Sequence, residues 1–308
     1  VLVTGGAGFV GSHLIQRLLD DTDWNVISVD SFRGGGEFIN LLDACGWSRE
    51  RVVSITHDLT IPFTTAQLRF LDEREVDAIV NVASRCHVQE SIVGPVDFTL
   101  NNTQLMINML HAAYGLAVDR FIQMSTDEVY GPHQPTTDQD YQPSSPYAAS
   151  KAAQEIFAHA WRRTYELPVT IVNSANMIGE RQRADAFLPI VVQLVRDGFT
   201  VPVHAKEDVV GSRNYSYVGN VVDELVAELR REHPSERIKL DGQATLSNIE
   251  LVEEIGKIVG REPRWTKVDG DQVRPGYDQL YPKLGGEWQP AVPFSDALRR
   301  TVRWYLDQ

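Results

Sequence analysis

The chain opens Val1-Leu2-Val3-Thr4 and passes at once into Gly5, Gly6, Ala7, Gly8, Phe9, Val10 and Gly11. Glycines at Gly5, Gly8 and Gly11, set between a β-branched run and an amphipathic stretch, describe a strand that turns tightly into a helix. Leu14, Ile15, Leu18 and Leu19 then share one helical face, as a crossover helix laid on a sheet requires. The same short apolar runs recur at Val26–Val29, Val52–Ile55, Ala78–Val82, Phe121–Met124 and Val169–Val172. Buried strands alternating with helices are the rhythm of an α/β fold, a doubly wound parallel sheet with right-handed connections.

Later helices follow from their end signals. One is expected over Thr103 to Tyr114, stopping at Gly115; another starts at Ser145-Pro146, with serine as cap and proline in the first turn, and runs to Tyr165. Beyond about Asn173 the pattern loosens into Arg-, Gly- and Pro-rich loops around helical stretches at Asn248–Val259 and Phe294–Leu306. The expected division is a dinucleotide-binding domain over 1–172, to which later segments can return, and a smaller α/β substrate lobe over 173–308.

Charge narrows the partners. With 29 Lys+Arg against 42 Asp+Glu the net charge is −13, and no basic block breaks it, so nucleic acid and anionic lipid are excluded as partners. No apolar run reaches the roughly 20 residues of a membrane span. Two cysteines, Cys45 and Cys86, rule out a disulfide framework, and with no leader at Val1 the expected location is the cytoplasm. Metal-ligand spacing is absent, so no metal is expected.

The glycine turn lets backbone N–H groups and a helix N-terminus approach a pyrophosphate. Asp30 closes the second strand about 20 residues on, where a carboxylate bonds adenosine ribose hydroxyls. That acid would repel a 2′-phosphate, which favours NAD over NADP, although Arg33 nearby is the kind of residue that accommodates one. Asp58 and Leu59, after the third strand, either line the adenine pocket or simply form a turn.

Tyr147 and Lys151 lie four residues apart on one helix, so the ammonium can favour the phenolate and also reach a nicotinamide ribose. Thr126, after the fifth strand, can hydrogen-bond the substrate oxygen that Tyr147 deprotonates. Asp127 and Glu128 follow it directly. They complement a short helix capped by Thr126, or they serve as a catalytic acid and base; Gly131-Pro132 leaves little room for a helix and favours the second reading.

Taken together, the strings TGGAGFVGSHL, NVASRCHVQESI from Asn81, STDEVYG from Ser125, SPYAASKAA from Ser145, SRNYSYV from Ser212 and VRPGYD from Val273 resemble the extended short-chain dehydrogenase/reductase family with its Rossmann domain. Within it the chain is similar to the nucleotide-sugar 4,6-dehydratases, because Asp127 stands where 4-epimerases and decarboxylases carry other residues. The resemblance implies an NAD-dependent lyase with Thr126, Asp127, Glu128, Tyr147 and Lys151 as catalytic set. Cofactor contacts are implied at Gly5, Gly8, Phe9, Val10, Gly11, Asp30, Ser31, Asp58, Leu59, Ala83, Ser84, Tyr147 and Lys151. A nucleotide-sugar substrate, dTDP-glucose first, is implied at His87, Thr126, Asn176, Leu188, Arg213, Asn248, Arg274 and Tyr277. A homodimer is implied too, built from the helix after Phe98 and the helix of Tyr147. Cys86, beside His87, reads as buried filler.

Several positions depart from the family pattern. Ala186 stands for a lysine, His204 for a tyrosine, Tyr277 for a histidine and Arg85 for an acid, and the stretch at Tyr281–Gly286 is short. Ala186 and His204 lie toward the nucleotide end, so UDP-glucose remains an alternative substrate. A 4-epimerase, or an idle NAD-binding regulator on the same scaffold, are the other classes.

Overall fold

The computed structural model describes residues 1–46, 48–132, 135–206, 209–269 and 288–308. The expected Arg274 and Tyr277 contacts and the short 281–286 stretch lie outside those residues. The described chain divides into two compact units, one of residues 1–129, 145–173 and 222–238, the other of 130–144, 174–221 and 239–308.

The first unit contains β1 (Leu2–Thr4), α1 (Phe9–Asp21), β2 (Val26–Asp30), α2 (Phe38–Cys45), β3 (Val52–Thr56), α3 (Thr65–Asp72), β4 (Ala78–Asn81), α4 (Val88–Val93), α5 (Pro95–Gly115), β5 (Arg120–Thr126), α6 (Pro146–Tyr165) and β6 (Val169–Ser174). In the remaining chain come β7 (Asn176–Ile178), α7 (Phe187–Asp197), β8 (Thr200–Lys206), β9 (Val209–Val210), β10 (Ser212–Tyr217), α8 (Val218–Arg230), β11 (Arg237–Leu240), β12 (Ala244–Ser247), α9 (Asn248–Val259), β13 (Arg264–Asp269) and α10 (Phe294–Leu306).

Seven strands form the main sheet in the order β3-β2-β1-β4-β5-β6-β11, and β1 pairs in parallel with both β2 and β4. This is a doubly wound α/β sheet. The chain winds outward one way from β1 to β3 and the other way from β4, so the carboxyl ends of β1 and β4 flank the crevice where such sheets bind ligands. Leu2, Leu71, Ile79, Met106, Met109, Leu110 and Phe121 are fully buried in one cluster, each side chain contributing roughly 1.5–3 kcal/mol.

Helix ends explain both agreements and misses. Ser145 caps α6 by accepting from Ala148 N at 3.1 Å, with Pro146 in its first turn. α5 starts at Pro95, eight residues before the expected Thr103, because proline is preorganised for the first turn and Phe98 and Asn102 already face the core. Its end also differs. Gly115 remains helical, and the left-handed position falls on Ala117 at φ +50°.

In the second unit β12-β10-β7 and β13-β8-β9 form two small sheets. Val191, Val201, Val203, Leu251, Val252, Ile255 and Val302 are buried together in its core. α9 starts with a capping box in which Ser247 and Glu250 satisfy each other's backbone amides. β10, β12 and β13 are rich in polar residues, which is why the sequence pattern loosened there.

Candidate active site

The glycines are demanded by geometry. Gly5 has φ +66° and donates to Val29 O at 2.8 Å, while a Cβ on Gly11 would sit 2.1 Å from Gly5 O. Gly8 caps α1 without any side-chain hydrogen bond, so the first-turn amides around Phe9 and Val10 face no side-chain acceptor. At the end of β2 the Asp30 carboxylate accepts from Ala7 N at 3.0 Å and Phe32 N at 2.8 Å. Burial pushes its pKa up, and the amides of Phe32, Ala7 and Ser31 pull against that rise. An uncapped helix start, a turn with no room for Cβ atoms and a fixed carboxylate fit a dinucleotide such as NAD.

Neighbouring residues complete this rim. Thr4 Oγ1 accepts from Val82 N and Ala83 N, which sets Ala83 against Gly5. Ser84 Oγ bonds Arg85 O at 3.2 Å. Asp58 behaves as a turn aspartate: Oδ1 accepts from the hydroxyl and amide of Thr60, which hold its pKa down, and Arg33 lies 3.5 Å from Oδ2. Leu59 is buried in the core, although His57 N bonds Asp30 O and keeps this segment beside β2.

Thr126, Asp127 and Glu128 stand at the end of β5 and are all buried. Asp127–Tyr130 is a single 3₁₀ turn: Thr126 Oγ1 accepts from Glu128 N at 3.2 Å as a cap, and also bonds Asp127 Oδ1 and the Tyr147 hydroxyl. The turn closes on Gly131 at φ +66°, where a Cβ would meet Gln142 O at 2.2 Å.

Tyr147 differs from expectation. Its pKa is pushed well above the usual 10, first by burial, then by the charges of Glu128, Cys86 and, behind a lowering hydrogen bond from Thr126, Asp127. Lys151 does not counter this, because its ammonium donates to Met124 O and Gln154 Oε1, each at 2.7 Å. Burial brings Lys151 itself down to about 8, against the opposing charges of Glu155 and Cys86. Cys86 is exposed, not buried filler, because it sits in the loop before α4, close enough to act on both residues.

Sequence reasoning missed the polar network underneath. Thr4 Oγ1 donates to Asn81 Oδ1, Asn81 Nδ2 to Gln123 Oε1 and Gln123 Nε2 to Gln154 Oε1, which also accepts from Lys151. A continuous buried chain thus joins the glycine turn to Lys151. Polar residues inside otherwise apolar runs were the available signal.

The other expected contacts are spread over both units. His87 caps α4, and its Nδ1 is buried with no protein partner; Glu128 Oε2 is in the same state. In the second unit Asn176 Nδ2 is likewise unpartnered, Arg213 Nη1 bonds Ser212 O, and Asn248 begins α9. Leu188 is buried in the core, so its side chain is not offered to a ligand. A cleft of about 420 Å³ in this unit, lined by Asp197, Phe199, Arg261 and Arg264 among others, includes none of the expected residues.

The NAD dependent epimerase/dehydratase family matches residues 1–239. The chain belongs to that family. It is 31% identical to dTDP-glucose 4,6-dehydratase 1 of Escherichia coli K12, over 99% of this chain and 92% of that one. The crystal structure of DesIV, a dTDP-glucose 4,6-dehydratase from Streptomyces venezuelae with NAD and TYD bound, superposes with a TM-score of 0.86 at 32% identity, covering 100% and 97% of the two chains. A UDP-glucose 4-epimerase from Thermus thermophilus in complex with NAD gives a TM-score of 0.84 at 25% identity, covering 99% and 98%. The members are NAD-dependent enzymes, and among the described residues no helix is long and apolar enough to cross a membrane.

Proposed function

We propose that this protein removes water from a nucleotide-activated hexose, dTDP-glucose first, to give the 4-keto-6-deoxy sugar. The observation that carries the reading is the buried Asp127-Glu128 pair, whose charges act on the Tyr147 phenol. Exchanging the configuration at C4 needs only the tyrosine. Two buried carboxyls beside it suit a reaction that must also move a C5 proton and a C6 hydroxyl.

NAD, held by the glycine turn and Asp30, would supply the hydride chemistry, as acceptor for C4 and then donor for C6. Tyr147 takes the 4-hydroxyl proton, and Thr126 aligns that oxygen. The Tyr147 pKa, raised in the free protein, means that the phenolate forms only when positive charge arrives beside it. Once C4 is a ketone, Glu128 removes the acidified C5 proton and Asp127 protonates the departing 6-hydroxyl, so water leaves. Glu128 returns its proton to C5 as C6 is reduced; C4 stays a ketone, and the proton held by Tyr147 passes through solvent to Asp127, which restores both groups for the next cycle.

A 4-epimerase is the second reading, favoured by the likeness to the Thermus thermophilus enzyme. Incubating the protein with dTDP-glucose or UDP-glucose and weighing the product separates them. Loss of one water identifies a dehydratase and its nucleotide; unchanged mass with altered C4 configuration refutes it.

The homodimer belongs to the same proposal. On α5 Val96 and Leu100 are 69% and 64% exposed, and α6, which packs against α5, exposes Ile156 and Tyr165. A second copy meeting this face would form a four-helix bundle.

A further inference from the structure

Behind the candidate site lies a buried carboxylate that the reaction does not use. Glu155 follows Lys151 by one turn of α6 and its side chain is wholly inaccessible. Oε1 accepts from Ser125 Oγ at 2.5 Å and Asn173 Nδ2 at 2.7 Å, and Oε2 pairs with Arg237 Nη1 at 2.7 Å. Asn173 Nδ2 also reaches Thr126 O at 3.0 Å, while its Oδ1 accepts from Arg237. One acid therefore ties the helix of Tyr147 and Lys151 to the strand that ends in Thr126.

A buried ion pair is a poor way to gain stability, since apolar residues of the same volume often do as well. Its position suggests another use. Lys151 is buried and meets Met124 O from β5, Gln154 from its own helix and Cys86 from the loop after β4; Glu155 is the carboxylate that acts on it. Arg237 from β11 faces Glu155, Asn173 from β6 and His159 on α6.

We propose that Glu155 is a positioning residue for hydride transfer: paired with Arg237 and bonded to Ser125 and Asn173, it fixes the helix of Tyr147 and Lys151 on the strand that ends in Thr126 and sets its charge one helical turn from Lys151. The proposal rests on the Tyr147/Lys151 reading, which dehydratase and epimerase share.

The test is Glu155→Gln, with Glu155→Asp as the conservative rescue, read in two ways. In the free protein, thermal unfolding is followed between about pH 7 and 9.5, below phenol ionisation. Lys151 has a folded pKa of about 8 against 10.5 unfolded, so the unfolded chain holds more protons in between. Its stabilising contribution is full above 10.5 and is lost as pH falls toward about 8. Without the Glu155 charge this window should open roughly one pH unit lower, and Asp should restore it. In the NAD-loaded protein, the alkaline limb of hydride transfer, read from reduced-nicotinamide absorbance, should move down by the same amount.

Profiles of Glu155→Gln that superpose on wild type in shape, whatever their height, overturn the proposal. Should that variant not fold, Arg237→Gln, which strips Glu155 of its charged partner, must displace both profiles along the pH axis, and an unshifted profile there is equally fatal. A wild type without hydride transfer sinks the functional reading alone, because the unfolding profile still tests the charge coupling.

Discussion

Adding one methyl group at Gly11 should separate the folding role of the glycine turn from its binding role, when compared with the same change at Gly8. A Cβ at Gly11 would lie 2.1 Å from Gly5 O, 2.7 Å from Gly5 C and 2.8 Å from Gly6 Cα. All three are backbone atoms, so no side chain can swing aside. Relief requires the start of α1 to move by about 1 Å, which disturbs the Gly8 N to Gly5 O bond of 3.0 Å. Overpacking of roughly 1–3 kcal/mol plus about 1 for a weakened hydrogen bond, less up to about 1 for alanine's helix preference, leaves a net loss near 2 kcal/mol. For a chain of this size, with an unfolding entropy of about 0.65 kcal/mol/K, that lowers Tm by roughly 3 °C. At Gly8 the added Cβ would stand 3.1 Å from Gly5 O, with φ at −83°, so the backbone is not strained. Gly8→Ala should cost less than about 1 kcal/mol, the usual difference at a cap. It should still weaken NAD by about tenfold, the worth of one hydrogen bond to a charged phosphate. Thermal denaturation without NAD and calorimetric NAD titration measure both quantities. A Gly11→Ala protein that melts with wild type, or a Gly8→Ala protein that binds NAD unchanged, would refute the reasoning.

Other outcomes follow from the site. Asp127→Asn should slow water loss by at least about a hundredfold while changing hydride transfer far less, a split visible by following reduced nicotinamide and product mass separately. Iodoacetamide should label exposed Cys86 and stop turnover, with nucleotide sugar protecting; buried Cys45, whose pKa burial raises, should stay unlabelled by peptide mass mapping. Leu100→Glu should convert the proposed dimer to a monomer on light scattering without unfolding it, and an unchanged mass would remove α5 from the interface.

How far the sequence could be read varies along the chain. Strands β1, β2, β4, β5 and β6 were legible because a parallel strand buried on both faces must be a short apolar run, the partly exposed edge strand β3 by its β-branched residues, and α6, α9 and α10 because Ser145 and the spacing of apolar residues mark them. The start of α5 was not legible, since Asn102 and its polar neighbours are buried by partners far along the chain: Asn102 is bonded to Ser150 and Arg85.

The site shows the same division. Local spacing determined the glycine turn, the carboxylate at Asp30, the Tyr147/Lys151 pair and the acids after Thr126, because those features act within a turn or one helical step. Only the tertiary structure decided their state. It set half-buried Tyr147 among negative groups, turned the Lys151 ammonium toward Met124 O, exposed Cys86, and brought Glu155 to Arg237 from 82 residues away. Protonation depends on burial and on charges gathered from distant strands, so a list of residues names the chemistry while the packing sets the pH at which it runs.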